Sequence, residues 1–176
     1  MQVPVIETER LRLRGHRLDD LADCGALWRD PVVTRYIGVR RSSDQDIWFR
    51  LLRYAGHWPI MGFGYWAVEE KSSGSFVGEL GFADNKRSIE PSMQDAPELG
   101  WALVSSAHGK GYATEAVRAA VAWGDAHLSC PRTFCIIHPE NVASLHVAAK
   151  CGYEEFQRAT YNAEPAILFV RHALNG

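Results

Sequence analysis

Gly109-Lys110-Gly111, followed by Tyr112-Ala113-Thr114-Glu115-Ala116-Val117, holds the residue types that grip an anion. Two glycines bring backbone amides close to a ligand without interference from a Cβ, and the apolar spacing that follows predicts a helix. The first amides of a helix have no intrahelical partner and carry the positive end of its dipole, so a phosphate or diphosphate would sit well there. The residues before the turn, Glu98 to Val104, form an apolar run too short for a helix, which reads as a strand. Strand, basic glycine turn and helix together point to a phosphorylated ligand.

The class of ligand is narrowed by what the turn lacks. A Walker loop needs a glycine five residues before Gly109 and a hydroxyl after the lysine, where the chain has Val104 and Gly111. A dinucleotide fingerprint needs a third glycine three residues past Gly111, where Thr114 stands. Gly62-Phe63-Gly64-Tyr65-Trp66-Ala67 has that fingerprint's spacing but precedes the apolar run Tyr65 to Val68, so it reads as a turn entering a strand.

Gly109 to Ala116, with the strand before it, resembles the acetyl-CoA pyrophosphate loop of the GNAT N-acetyltransferases. Asn141-Val142-Ala143-Ser144-Leu145-His146-Val147-Ala148-Ala149-Lys150-Cys151-Gly152-Tyr153 resembles that family's second motif, an Asn-x-x-Ser helix closed by Lys-x-Gly-aromatic. With Glu7-Thr8-Glu9-Arg10-Leu11-Arg12-Leu13-Arg14 near the start, the resemblance spans nearly the whole chain and points to the branch of ribosomal-protein alanine N-acetyltransferases. It implies one α/β domain over residues 1–176, with a mixed, mostly antiparallel seven-stranded sheet and helices on both faces. It also implies a splay between the fourth strand, Glu98 to Val104, and the fifth, Arg132 to Ile137. Acetyl-CoA would then lie along His108, Gly109, Lys110, Gly111, Tyr112, Ala113 and Thr114, its pantetheine arm pairing with Leu103 and Val104. Asn141 would hold a pantetheine amide, and Ser144 would lie near the sulfur. Ser106 stands where the family usually has Gln or Arg, and Ala148 where many members carry a tyrosine for the leaving thiolate. The resemblance places the Ser144 hydroxyl where it would donate to the sulfur instead.

Acetyl transfer to an amine needs a bound thioester, a neutral amine, a donor for the carbonyl oxygen as it becomes negative, and a way for the thiolate to leave. The Val104 amide is the nearest match for the oxygen's donor. An alkyl amine with a pKa near ~10 is almost wholly protonated at neutral pH, so a base must strip it. Glu98, at the cleft end of its strand, is the first candidate, its alternative being a surface carboxylate that begins a strand; Glu79 and Glu164 follow. His108, His138 and His146 are explained equally well by loop and helix geometry. The acceptor is a primary amine, of a small molecule or a protein N-terminus, and the disposition of Glu79, Glu90, Asp95 and Glu98 bears on which. The alternative function is a CoA-binding sensor or interaction module that no longer transfers acetyl.

Bulk properties agree. At 176 residues and 47% hydrophobic, the chain suits one well-buried core. A net charge of −2 gives no footprint for nucleic acid. No run of apolar residues is long enough to span a membrane, and the N-terminal residues lack a signal-peptide pattern, so the expectation is a soluble, cytoplasmic protein, monomer or homodimer. Four cysteines without a Cys-x-x-Cys pair and seven histidines without ligand spacing predict reduced thiols and no metal.

The elements that must position these residues follow from periodicity. Ile6 to His16 alternates leucine and arginine, which predicts a strand with a solvated arginine face. Asp19 or Asp20 opens a helix that stops at Asp30-Pro31, and Asp44 opens a second. Around the run Arg40-Arg41-Ser42-Ser43 between them, Trp28, Tyr36, Trp48 and Trp58 either line an acceptor pocket or belong to the core. Tyr65 to Glu70 and Phe76 to Phe82, joined by Lys71-Ser72-Ser73-Gly74, read as a hairpin. Ala83 to Ala96 has no periodicity and reads as a surface loop able to fold over the acceptor site. Asn141 caps the last helix, Gly152 ends it, and Tyr153 to Tyr161 and Ala166 to Ala173 are the closing strands.

Overall fold

The computed structural model describes residues 2–37, 42–94 and 96–173. Arg40, Arg41 and Asp95 lie outside the described residues. Eight strands form one sheet: β1 (Ile6–Glu7), β2 (Leu11–Arg14), β3 (Tyr65–Glu70), β4 (Phe76–Ala83), β5 (Glu98–Leu103), β6 (Arg132–Ile137), β7 (Glu154–Tyr161) and β8 (Glu164–His172). Their order across the sheet is β1-β2-β3-β4-β5-β6-β8-β7, and every neighbouring pair is antiparallel except β5 with β6. The α/β class and the mostly antiparallel sheet are as expected, and the count of seven strands is corrected to eight. The extra strand arises because Ile6 to His16 folds back at Thr8, whose amide donates to the Leu11 carbonyl at 2.9 Å.

The helices are α1 (Leu21–Arg29), α2 (Pro31–Thr34), α3 (Asp44–Met61), α4 (Tyr112–His127) and α5 (Val142–Lys150). α3 starts on a reciprocal capping box between Ser43 and Asp46 and ends at left-handed Gly62. α4 lays its small apolar stripe, Ala116, Val117, Ala120 and Val121, against Leu80, Phe82, Leu99 and Leu103, and Ala148 of α5 joins that core. Gly124 keeps the approach close, since a Cβ there would lie 2.9 Å from the Phe82 ring. On the other face, Cys24, Leu27 and Trp28 of α1 and Ile47 and Leu51 of α3 pack around Ala102. Helices therefore cover both faces.

Two readings of surface character change. The arginines of the N-terminal hairpin are paired rather than free in solvent: Arg12 with Glu7 and Glu69, and buried Arg14 with Asp20 and Glu69. The segment between β4 and β5 is anchored, because Ile89, Met93 and Ala96 are buried against Phe134, Leu168 and Val170. All four cysteines are free thiols, and no described helix is long and apolar enough to cross a membrane.

Candidate active site

β5 ends in a single 3-10 turn, Ser105–Ala107, and the chain then passes through Gly109 at φ 75° and Gly111 at φ 80° into α4. Both angles lie in the left-handed region that glycine enters without strain. Gly111 is the N-cap and has no side chain with which to satisfy the helix amides. Among the described residues, the amides from Gly109 to Thr114 bond neither a carbonyl nor a side chain, so six consecutive donors at a helix start are free for an anion. Lys110 is exposed beside them. His108 turns away: its Nε2 lies 3.0 Å from the Leu103 carbonyl oxygen, which can only accept, so this nitrogen carries the proton and holds the loop.

The loop is also held from outside. Glu115 accepts from the Arg10 amide at 2.9 Å, from Arg10 Nε at 2.7 Å and from Thr8 Oγ1 at 2.6 Å, while Arg10 Nη1 donates to the Lys110 carbonyl at 2.9 Å. Arg10 is thus a brace for the anion loop. Arg10→Ala is expected to raise the Kd for acetyl-CoA roughly three- to tenfold with the melting temperature nearly unchanged, because the free amides lose preorganisation rather than the fold losing core. Calorimetry and a thermal melt on the same sample check this.

β5 and β6 touch at one registered pair, Glu98 with Phe134, secured by the Phe134 amide donating to the Pro97 carbonyl at 3.1 Å. Beyond it the two strands diverge, which is the expected splay. Which backbone groups face the gap follows from alternation along β5. The Val104 amide donates to the Val77 carbonyl at 3.0 Å, so Val104 and the residues two and four before it point toward β4. Val104 as the donor for the thioester oxygen is therefore corrected: its amide is committed to the ladder. Trp101 and Leu103 point into the gap. Leu103, expected to pair with the pantetheine arm, is thus gap-facing, as is Trp101.

Across the gap, Asn141 caps α5, its Oδ1 accepting from the Ser144 amide at 3.2 Å, which leaves the Asn141 side-chain nitrogen, Nδ2, for a ligand. Asn141 and Ser144 both line a cleft of about 710 Å³ that opens from the splay. Ala148 is fully buried in the core, so that position presents nothing to the cleft.

The three candidate carboxylates have different surroundings. Glu79 is fully buried and does not line the cleft; it accepts from Trp28 Nε1 at 2.7 Å, Tyr54 Oη at 2.5 Å and the Cys24 thiol at 3.5 Å. His16 Nε2 lies 3.5 Å away, near enough for an ion pair, although both ring nitrogens are buried without a hydrogen bond. Burial disfavours the Glu79 charge, but His16, Tyr54 and Arg50 outweigh it, and the carboxyl titrates below its ordinary value. Glu98 lines the cleft with both oxygens held by Arg87, at 2.5 and 2.7 Å, and Arg87 also donates to Tyr161 Oη at 3.0 Å. Glu164 also lines the cleft, exposed, with no ion pair among the described residues.

Of the four aromatics, Trp28 and Tyr36 line the cleft, Trp48 is on the outer surface, and Trp58 is core, edge-on to Trp66 and Trp123. Tyr36 stacks on His138 with ring centroids 5.4 Å apart. Sequence reasoning missed Tyr65, Arg50, Arg53 and Arg87. Tyr65 crosses β4 and sets its hydroxyl over Gly100, where a Cβ would be only 2.1 Å from it; glycine within an apolar strand is the signal that marks such a close approach.

A splayed parallel junction, gap-facing strand amides and a glycine loop with six open donors are the features of an acyltransferase fold. Residues 10–154 match the acetyltransferase (GNAT) domain, and the chain belongs to that family. It is 30% identical over 172 residues to the uncharacterized protein YkkB of Bacillus subtilis, 96% of this chain and 95% of that one. A GnaT-family structure from Bordetella pertussis superposes with a TM-score of 0.84 at 27% identity, over 96% of this chain and 99% of that one. Spermidine N-acetyltransferase from Vibrio cholerae, solved with CoA and spermine, shares the fold with a TM-score of 0.76 at 16% identity, covering 94% and 97%.

Proposed function

We propose that this acetyltransferase moves the acetyl group of acetyl-CoA directly to a primary amine, without a covalent enzyme intermediate. The observation that carries the reading is the junction of the six open amides, Gly109 to Thr114, with the gap beside Trp101 and Leu103. The residues present fit the cosubstrate: open amides and Lys110 for a diphosphate, gap-facing strand groups and Asn141 for a chain of amides. Acetyl-CoA supplies the activated acyl group. Trp101 and Leu103 offer amides to an oxygen in the gap, and removing one such donor typically costs roughly 3 to 4 kcal/mol of transition-state stabilisation. Ser144 offers a hydroxyl donor to the departing sulfur.

For the base, geometry separates the candidates. Both Glu98 oxygens are engaged by Arg87, so Glu98 fixes that arginine and, through it, Tyr161. Glu164 is the lining carboxylate free of an ionic partner among the described residues, and we assign it the amine's proton. Glu164→Gln is expected to lower kcat/KM by roughly 10²- to 10⁴-fold, and Glu98→Gln by much less. The opposite outcome returns the role to Glu98.

The reaction itself is tested by thiol release over a panel of amines. A folded chain that binds acetyl-CoA and releases no thiol above background would be a sensor rather than a transferase.

A further inference from the structure

The cleft carries an excess of positive charge. Its described lining includes Arg35, Arg50, Arg53 and Arg87 against Glu98 and Glu164. Arg87 is neutralised by Glu98. Arg35, Arg50 and Arg53 have no carboxylate within ion-pair distance among the described residues. Glu79 lies behind the wall, and Arg50 reaches it through the Tyr54 hydroxyl, which accepts from Arg50 Nη1 at 3.2 Å and donates to Glu79.

Two features of these arginines bear on the charge of the cleft. Arg50 and Arg53 are three residues apart on α3, a spacing at which like charges sit side by side and cost stability. The Arg50 guanidinium is held 3.6 Å over the Trp28 ring, and its Nε is buried with no hydrogen-bond partner. Arg53 lies 5.3 Å over the Tyr54 ring and is exposed to the cleft side. A half-buried guanidinium held over an aromatic ring, with a second, exposed one a turn away on the same cleft, is what a carboxylate or phosphate pairs with.

Building on the transferase reading above, we propose that the acceptor is a small primary amine that carries an anionic group, carboxylate or phosphonate-like, on the same skeleton. Arg50 and Arg53 hold the anion, and Arg35 adds to the field. The same charges discriminate against polyamines, whose remaining amines are cationic.

The test is binding to the CoA-saturated protein, measured by calorimetry for 2-aminoethylphosphonate, β-alanine, propylamine and spermidine. At least one of the two anionic amines is expected to bind tenfold or more tighter than propylamine, with spermidine weakest; the two arms tell which anion is preferred. Arg53→Gln, at an exposed position, is expected to remove most of that advantage, and Arg35→Gln part of it, with CoA binding as the control for folding. Tighter binding of spermidine or propylamine, no detectable binding of any of the four at millimolar concentration, or an unchanged preference in both variants would overturn the proposal. Thiol release is recorded separately, so a cleft that prefers anions yet transfers no acetyl counts against the reaction and not against the charge preference.

Discussion

Gly109→Val is expected to weaken acetyl-CoA binding about 100-fold while leaving the fold close to wild type. A Cβ at Gly109 meets nothing within 4 Å, so no core contact is at risk. The penalty is conformational: φ of 75° suits glycine, and a side-chain-bearing residue held there loses roughly 1–2 kcal/mol, more readily relieved by turning the peptide than by unfolding. Turning it misaims the neighbouring amides. Hydrogen bonds to charged groups are worth about 1.5–3 kcal/mol each, so misplacing even two removes roughly 3 kcal/mol, a little over 100-fold in Kd. Calorimetry with acetyl-CoA and a thermal melt distinguish the cases: large unfolding with unchanged affinity would show that the glycine serves the fold and not the ligand.

The second large effect falls on stability. Glu79→Ala is expected to cost about 3–5 kcal/mol, because it strands the donors of Trp28, Tyr54 and Cys24 and leaves Arg50 and His16 around an empty site. Glu79→Gln keeps the volume and one acceptor oxygen and should cost less. The dependence on pH has a fixed sign. The folded carboxyl titrates below its ordinary value, so the unfolded chain binds the proton first. The contribution of Glu79 is fully present above the unfolded value of about 4.3 and disappears as pH falls through the lower folded value. Urea midpoints measured from pH 7 down to pH 3 should therefore drop for wild type more steeply than for Glu79→Gln. Parallel curves would mean that Glu79 is not a charged hub.

What is legible in the sequence is what is locally encoded. The anion loop can be read because glycine, lysine and helical spacing are adjacent in the chain, and the Asn141 cap and Gly152 stop are local signals of the same kind. The N-terminal hairpin is not legible: the turn Thr8-Glu9-Arg10 contains neither glycine nor proline and runs straight into the leucine–arginine alternation that starts at Arg10, so two strands read as one. Val104 and Trp101 differ only in which side of the ladder they face, a fact of register that no single strand states. Arg87 escapes notice for another reason. It lies in a segment without periodicity, and its clamp on Glu98 exists because Ile89 and Met93 pin that segment into a small core of its own. Arg50 and Arg53 read as the polar side of an amphipathic helix until α3 is laid along the cleft.

The single rung between β5 and β6 has a mechanical meaning. Five strands on one side and three on the other are stitched at Glu98 and Phe134 alone, so the sheet is a seam left partly open. Whatever threads that opening and pairs with its edge finishes the weave and ties the two halves of the sheet together.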